Sequence, residues 1–100
     1  MSEGRATPTG EIIRGLLAKR GITRYALFLT QGEGKELPGG IESFSGFVLT
    51  SRGRVHGFWL DWDEVAGRYV LDPWYKVEDL SQFASDPEYQ RARRLLDIDV

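Results

Sequence analysis

Residues able to transfer protons, attack carbonyls or ligate metals are sparse in this chain, and the first to weigh is its only histidine, His56. A general base there would take Ser51, a diagonal neighbour across a hairpin, as nucleophile, and an acid such as Asp61 to orient the imidazole. Alternation along a strand sets Asp61 on the opposite face from His56, and neither a G-x-S-x-G elbow nor an S-x-x-K pair is present. Asp61 and Asp63 do share a strand face, with Glu64 next to them. Read as a calcium loop, the stretch puts Asp63 and Asp72 at ligand places but Ala66 at the invariant glycine and Val65 at another ligand place. The plainer reading is that Asp63 bonds the backbone of its own turn, and no metal is expected.

Two further groupings fail on inspection. Gly32-Glu33-Gly34-Lys35 would be a phosphate loop only with glycine at Leu29 and a hydroxyl at Glu36, so no nucleotide or other cofactor is implied. Arg91, Arg93 and Arg94 fall late in a helical stretch that opens with Asp86 and Glu88, the arrangement a helix dipole favours for stability alone.

Composition narrows the classes. The 100 residues carry a net charge of −2, with 41% hydrophobic, 12% aromatic and 28% charged residues, which describes one ordinary globular core rather than a disordered chain. The absence of cysteine removes thiol catalysis, disulfides and Cys-based zinc sites. Six basic and five acidic groups in the first fifty residues, then seven and ten in the second, offer no basic half for a nucleic acid. The longest unbroken apolar run, Tyr25–Leu29, is too short for a signal sequence or a membrane span, so the expectation is a cytoplasmic protein with no membrane partner. Ten arginines against three lysines suit a bacterial source.

The positioning elements follow from punctuation and periodicity. Residues 1–7 read as a loose tail. Thr7-Pro8 caps a helix over 8–20 with Ile12, Ile13, Leu16 and Leu17 on one stripe. Arg24–Thr30 reads as a strand and 31–40 as a long glycine-rich loop, a candidate lid. Ser43–Ser51 and Arg54–Asp63 form a hairpin about Arg52-Gly53, and Arg68–Trp74 returns as a third strand of the meander until Asp72-Pro73 ends it. Val77–Ala84 is a short helix, and Asp86-Pro87 opens another. The expected fold is therefore α+β over 8–100, a four-stranded antiparallel meander in the order helix, four strands, helix, helix, with the helices packed on the sheet.

Pairing Ser51 with Arg54 sets Leu49 opposite His56 and Phe47 opposite Phe58, and a second pairing sets Trp62 opposite Tyr69. One face then carries Phe47, Leu49, Phe58, Leu60, Trp62, Tyr69 and Leu71 as the core. The reverse face carries Phe44, Gly46, Val48, Val55, Gly57, Trp59 and Val70, too apolar to be solvated and dented at its two glycines. On that basis the expected function is a non-enzymatic module for protein interaction or self-association, docking an unidentified protein or a second copy on this face, with Trp59 and Trp74 as anchors. The rival is a small enzyme or ligand-binding domain in which the 31–40 loop closes over a pocket and His56, Asp61 and Asp63 supply acid and base groups.

Overall fold

The computed structural model describes residues 8–32, 36–37, 40–41 and 44–97. The expected tail at 1–7, with the capping Thr7, lies outside them. In chain order the elements are helix α1 (Pro8–Ala18), strands β1 (Tyr25–Gln31), β2 (Glu36–Leu37), β3 (Gly40–Ile41), β4 (Phe44–Thr50), β5 (Val55–Asp63) and β6 (Arg68–Lys76), a 3-10 turn (Leu80–Phe83) and helix α2 (Pro87–Leu95). The four long strands form one antiparallel sheet in the order β1-β4-β5-β6, while β2 and β3 pair as a separate small ladder. This is the α+β meander that the residue pattern predicts. The stretch expected to be one open loop at 31–40 thus contains β2, the start of β3 and the end of β1.

Local chemistry explains the helix ends. α1 closes in a double C-terminal turn, with Ile22 N–H donating to the Leu17 carbonyl and Gly21 N–H to that of Ala18, both at 2.9 Å, and Gly21 supplies the left-handed φ of 79° this geometry requires. At the other end of the chain the Asp86 carboxylate accepts the Glu88 N–H at 2.8 Å, capping α2 ahead of its first-position proline.

The β4–β5 hairpin departs from expectation by one residue, and much follows from that. Its last pair is Thr50 with Arg54, closed by Thr50 N–H to the Arg54 carbonyl at 2.8 Å, so the loop is the three residues Ser51-Arg52-Gly53, not Arg52-Gly53 alone. Gly53 N–H returns to the Thr50 carbonyl at 2.9 Å, and Gly53 takes the left-handed position of a three-residue turn with φ 81°. The Thr50 hydroxyl oxygen accepts the N–H groups of Arg52 and Arg54, each at 3.3 Å, which holds the longer loop. Leu49 consequently faces Val55, Val48 faces His56, and Phe47 faces Gly57. Because side chains alternate, this one-residue change puts β5 the other way up relative to β4.

A second correction concerns β6, which does not end at Asp72-Pro73. The strand runs on to Lys76, with a cis Asp72–Pro73 bond where the pairing slips between Phe58 and Leu60. A proline is tolerated there because β6 is an edge strand with a bulge, and no inner ladder needs its N–H. The predicted pairing of Trp62 with Tyr69 is present.

Each sheet face has its own helix. Beneath α1 lie Val48, Phe58, Leu60 and Leu71 with Ile13 and Leu17, and Phe44 and Trp74 pack at the margin. Beneath α2 and the 3-10 turn lie Ala26, Phe28, Leu49 and Val55 with Phe83, Tyr89, Ala92 and Leu96. The common apolar face expected for Phe44, Gly46, Val48, Val55, Gly57, Trp59 and Val70 therefore does not exist. Phe44, Gly46 and Val48 share the α1 side, whereas Val55, Gly57, Trp59 and Val70 fall by register on the α2 side. The expected core face divides likewise, with Phe47 and Leu49 on the α2 side and Phe58, Leu60, Trp62, Tyr69 and Leu71 on the α1 side.

Both strand glycines serve close approach. Tyr75 lays its ring tip where a Gly57 Cβ would stand, so an aromatic from the neighbouring strand covers the missing side chain. A Cβ on Gly46 would meet Thr30 Cγ2 at 2.8 Å and Thr30 Cα at 3.0 Å, beside the irregularity in β1 between Phe28 and Gln31. Since one of those atoms is backbone, Gly46→Ala is expected to cost about 1–3 kcal/mol in urea unfolding. A loss under about 0.5 kcal/mol would show that β1 yields freely there.

Candidate anion-binding site

Three chain segments meet at the hairpin end of the sheet on the α1 side. The turn after α1 brings Arg20, Gly21, Ile22, Thr23 and Arg24; the β4–β5 hairpin brings Thr50, Ser51, Arg52 and Arg54; and β5 and β6 add His56 and Trp74. Together they enclose a cleft of about 400 Å³. The double turn that ends α1 fixes the first group. Arg24 is tied further by a 3.0 Å hydrogen bond from Nη2 to the carbonyl of Leu96, at the end of α2. The three-residue hairpin loop spaces the second group, with Arg52 in the loop and Arg54 in its closing pair.

Four arginines line this cleft, and none of the described lining residues is acidic. Lys76, paired with His56 across β5 and β6, adds a fifth cation close by. The concentration is notable in a chain of net charge −2. Arg20 lies 4.7 Å above the Trp74 ring, on which the His56 imidazole also stacks at 4.6 Å and 12°. Half-burial of His56, with Lys76, Arg54 and Arg20 around it, pushes its pKa below the ordinary imidazole value. Its Nδ1 is sealed from solvent and has no hydrogen-bond partner among the described residues.

The lowered pKa has a consequence for folding. As pH falls through the unfolded value of about 6.5, the unfolded chain binds a proton that folded His56 still refuses, so stability declines until the pH passes below the folded value. His56→Phe is expected to flatten the decline in the urea midpoint between about pH 7.5 and about pH 5.5. An unchanged slope would mean that other groups cause the acid sensitivity.

The acid–base trio of the enzyme reading is not assembled. His56 stands near the start of β5, and Asp61 and Asp63 near its end, five and seven residues on, or roughly 16 and 23 Å along an extended strand. Asp63 accepts the N–H groups of Val65 and Ala66 at 3.0 and 3.1 Å, and Asp61 accepts that of Trp62 at 2.9 Å. Among the described residues no three metal-ligating side chains come together. β3 runs close to β5, and none of the described residues of 31–40 lines the cleft; the rest of the expected lid lies outside the described residues. Ser51 and His56 do share it, yet a general base needs its second nitrogen held by an acceptor, and Nδ1 has none there. On α2, Arg93 donates to the Tyr89 hydroxyl at 3.0 Å and lies over its ring.

Of the predicted interaction residues, the cleft takes in Trp74 alone. Val48 and Val55 are fully buried, and Phe44 is half-buried against the α1 core. Trp59 remains 46% exposed and Tyr75 49%, on the part of the α2 side nearest the β6 edge. Arg20, Arg24, Arg52, Arg54 and Thr50 were not anticipated as a group. The available signal was two turn-forming glycines, Gly21 and Gly53, each flanked by arginine, which the meander topology carries to one end of the sheet.

No helix among the described residues is long and apolar enough to cross a membrane. No family model matches the chain, and no curated protein or solved structure matches it either.

Proposed function

We propose that this domain is a non-enzymatic binding module whose ligand is anionic and sits in the cleft between the α1 turn and the β4–β5 hairpin. The supporting observation is the convergence of Arg20, Arg24, Arg52 and Arg54 on one concavity whose described lining residues include no carboxylate. Like charges gathered with no described carboxylate among them repel one another, so the arrangement is relieved when an anion enters. Field lines from like charges are focused in a cleft with low-dielectric walls, which raises the local anion concentration. Calorimetric titration with inorganic pyrophosphate tests this: binding should appear at low ionic strength, weaken steadily with added salt, and fall about tenfold or more in Arg54→Glu. Absence of any saturable heat at low salt would remove the proposal.

One observation favours a second reading, self-association. α2 lies over β1, and away from it Trp59 and Tyr75 remain exposed with half-buried Val70 beside the β6 edge. Aromatic side chains at an uncovered sheet margin suit a homodimer contact. Sedimentation equilibrium should then show a dimer that Trp59→Ser weakens, and a strict monomer at high concentration would exclude it.

A further inference from the structure

The donors around the cleft also indicate the class of anion, an inference that rests on the anion-binding reading above. Arg24 gives one N–H to Leu96, and Arg20 lies over Trp74, which leaves Arg52 and Arg54 at the hairpin as the least committed guanidiniums. A single carboxylate, with one charge and two oxygens, would leave most of this positive charge unbalanced. Thr50, only 8% exposed, lines the same cleft, and its hydroxyl is held against the backbone of the two arginines. Its oxygen already accepts the N–H groups of Arg52 and Arg54, so both lone pairs are used and its remaining capacity is one O–H to give. Thr23 and Ser51 add two hydroxyls to the lining. Forked guanidiniums interleaved with hydroxyl donors match a tetrahedral oxyanion better than a planar one. Ile22 and Trp74 add apolar surface to the lining, and about 400 Å³ is more than a bare oxyanion fills.

We infer that the cleft binds a phosphomonoester, its dianionic phosphate against Arg52, Arg54 and the Thr50 hydroxyl and its organic body along Ile22 and Trp74. A phosphodiester presents one charge and one fewer terminal oxygen to the same donors and is the poorer fit. The test is calorimetry on the whole protein with three probes of similar body: phenyl phosphate, methyl phenyl phosphate and benzoate. Phenyl phosphate should bind about tenfold or more tighter than either of the others. Thr50→Val should weaken it about fivefold or more, while Thr50→Ser, which keeps the hydroxyl, stays within about twofold of the parent. Circular dichroism checks that Thr50→Val folds, and if it does not, Arg52→Gln must show the same loss. Equal affinities for the three probes, or a preference for benzoate, would overturn the phosphomonoester assignment while pyrophosphate binding kept the anion-binding reading intact. If pyrophosphate fails to bind as well, both fall together.

Discussion

Phe28→Ala is expected to cost about 3–5 kcal/mol of folding stability, enough to leave a domain of this size close to its unfolding threshold at room temperature. The Phe28 ring is 2% exposed and is gripped from three elements at once. Phe47 of β4 stacks on it at 5.6 Å, Phe83 of the 3-10 turn meets it edge-on at 5.3 Å, and Tyr89 of α2 lies at 5.4 Å. Truncation would remove buried aromatic area and open a cavity between the sheet and the C-terminal elements, where the rigid strands limit collapse. Glu88 adds a polar link across this interface by accepting the Leu29 N–H at 2.8 Å, and it is too exposed to compensate. Urea unfolding followed by fluorescence measures the loss. A change below about 1 kcal/mol would show that α2 and the 3-10 turn are not integral to the fold.

The second large effect concerns the cleft. Replacing both hairpin arginines, Arg52→Glu with Arg54→Glu, is expected to weaken pyrophosphate binding by about thirtyfold or more, since it removes two attractive charges and installs two repulsive ones beside the anion. Stability should hold or rise slightly, within about 0.5 kcal/mol. Both side chains are exposed, and the hydrogen bonds that shape the turn come from their backbone N–H groups, which substitution leaves in place. Relief of repulsion among Arg20, Arg24, Arg52, Arg54 and Lys76 works in the same direction. A double variant that binds as well as the parent would mean the anion sits elsewhere, and one that fails to fold would mean the cluster is structural.

The contrast between these effects marks what residue patterns disclose. Pro8, Gly21 and Asp86-Pro87 place the helices, and short alternating runs place the strands, because each signal is local and acts through its own backbone. The β4–β5–β6 part of the meander and the Trp62–Tyr69 pairing follow from loops of few residues. The hairpin register was not legible, because Gly53 serves a two-residue or a three-residue loop equally well. The choice turned on Thr50, whose hydroxyl accepts two N–H groups of the longer loop. The longer loop sets which way up β5 lies, and with it the fate of the predicted common face. The cleft was hidden for a different reason. Its arginines lie between positions 20 and 54, and charge summed over each half of the chain averages a local cluster away. Folding alone brings the two turns to one end of the sheet.

The most direct measurement is an amide and indole NMR titration of the isotopically labelled protein with inorganic pyrophosphate at low salt. Binding in the cleft predicts saturable shifts confined to residues 20–24 and 50–56 and to the Trp74 indole, with Trp59 and Tyr75 unmoved. Shifts spread evenly over the surface, shifts centred on Trp59 and Tyr75, or none at all would contradict it.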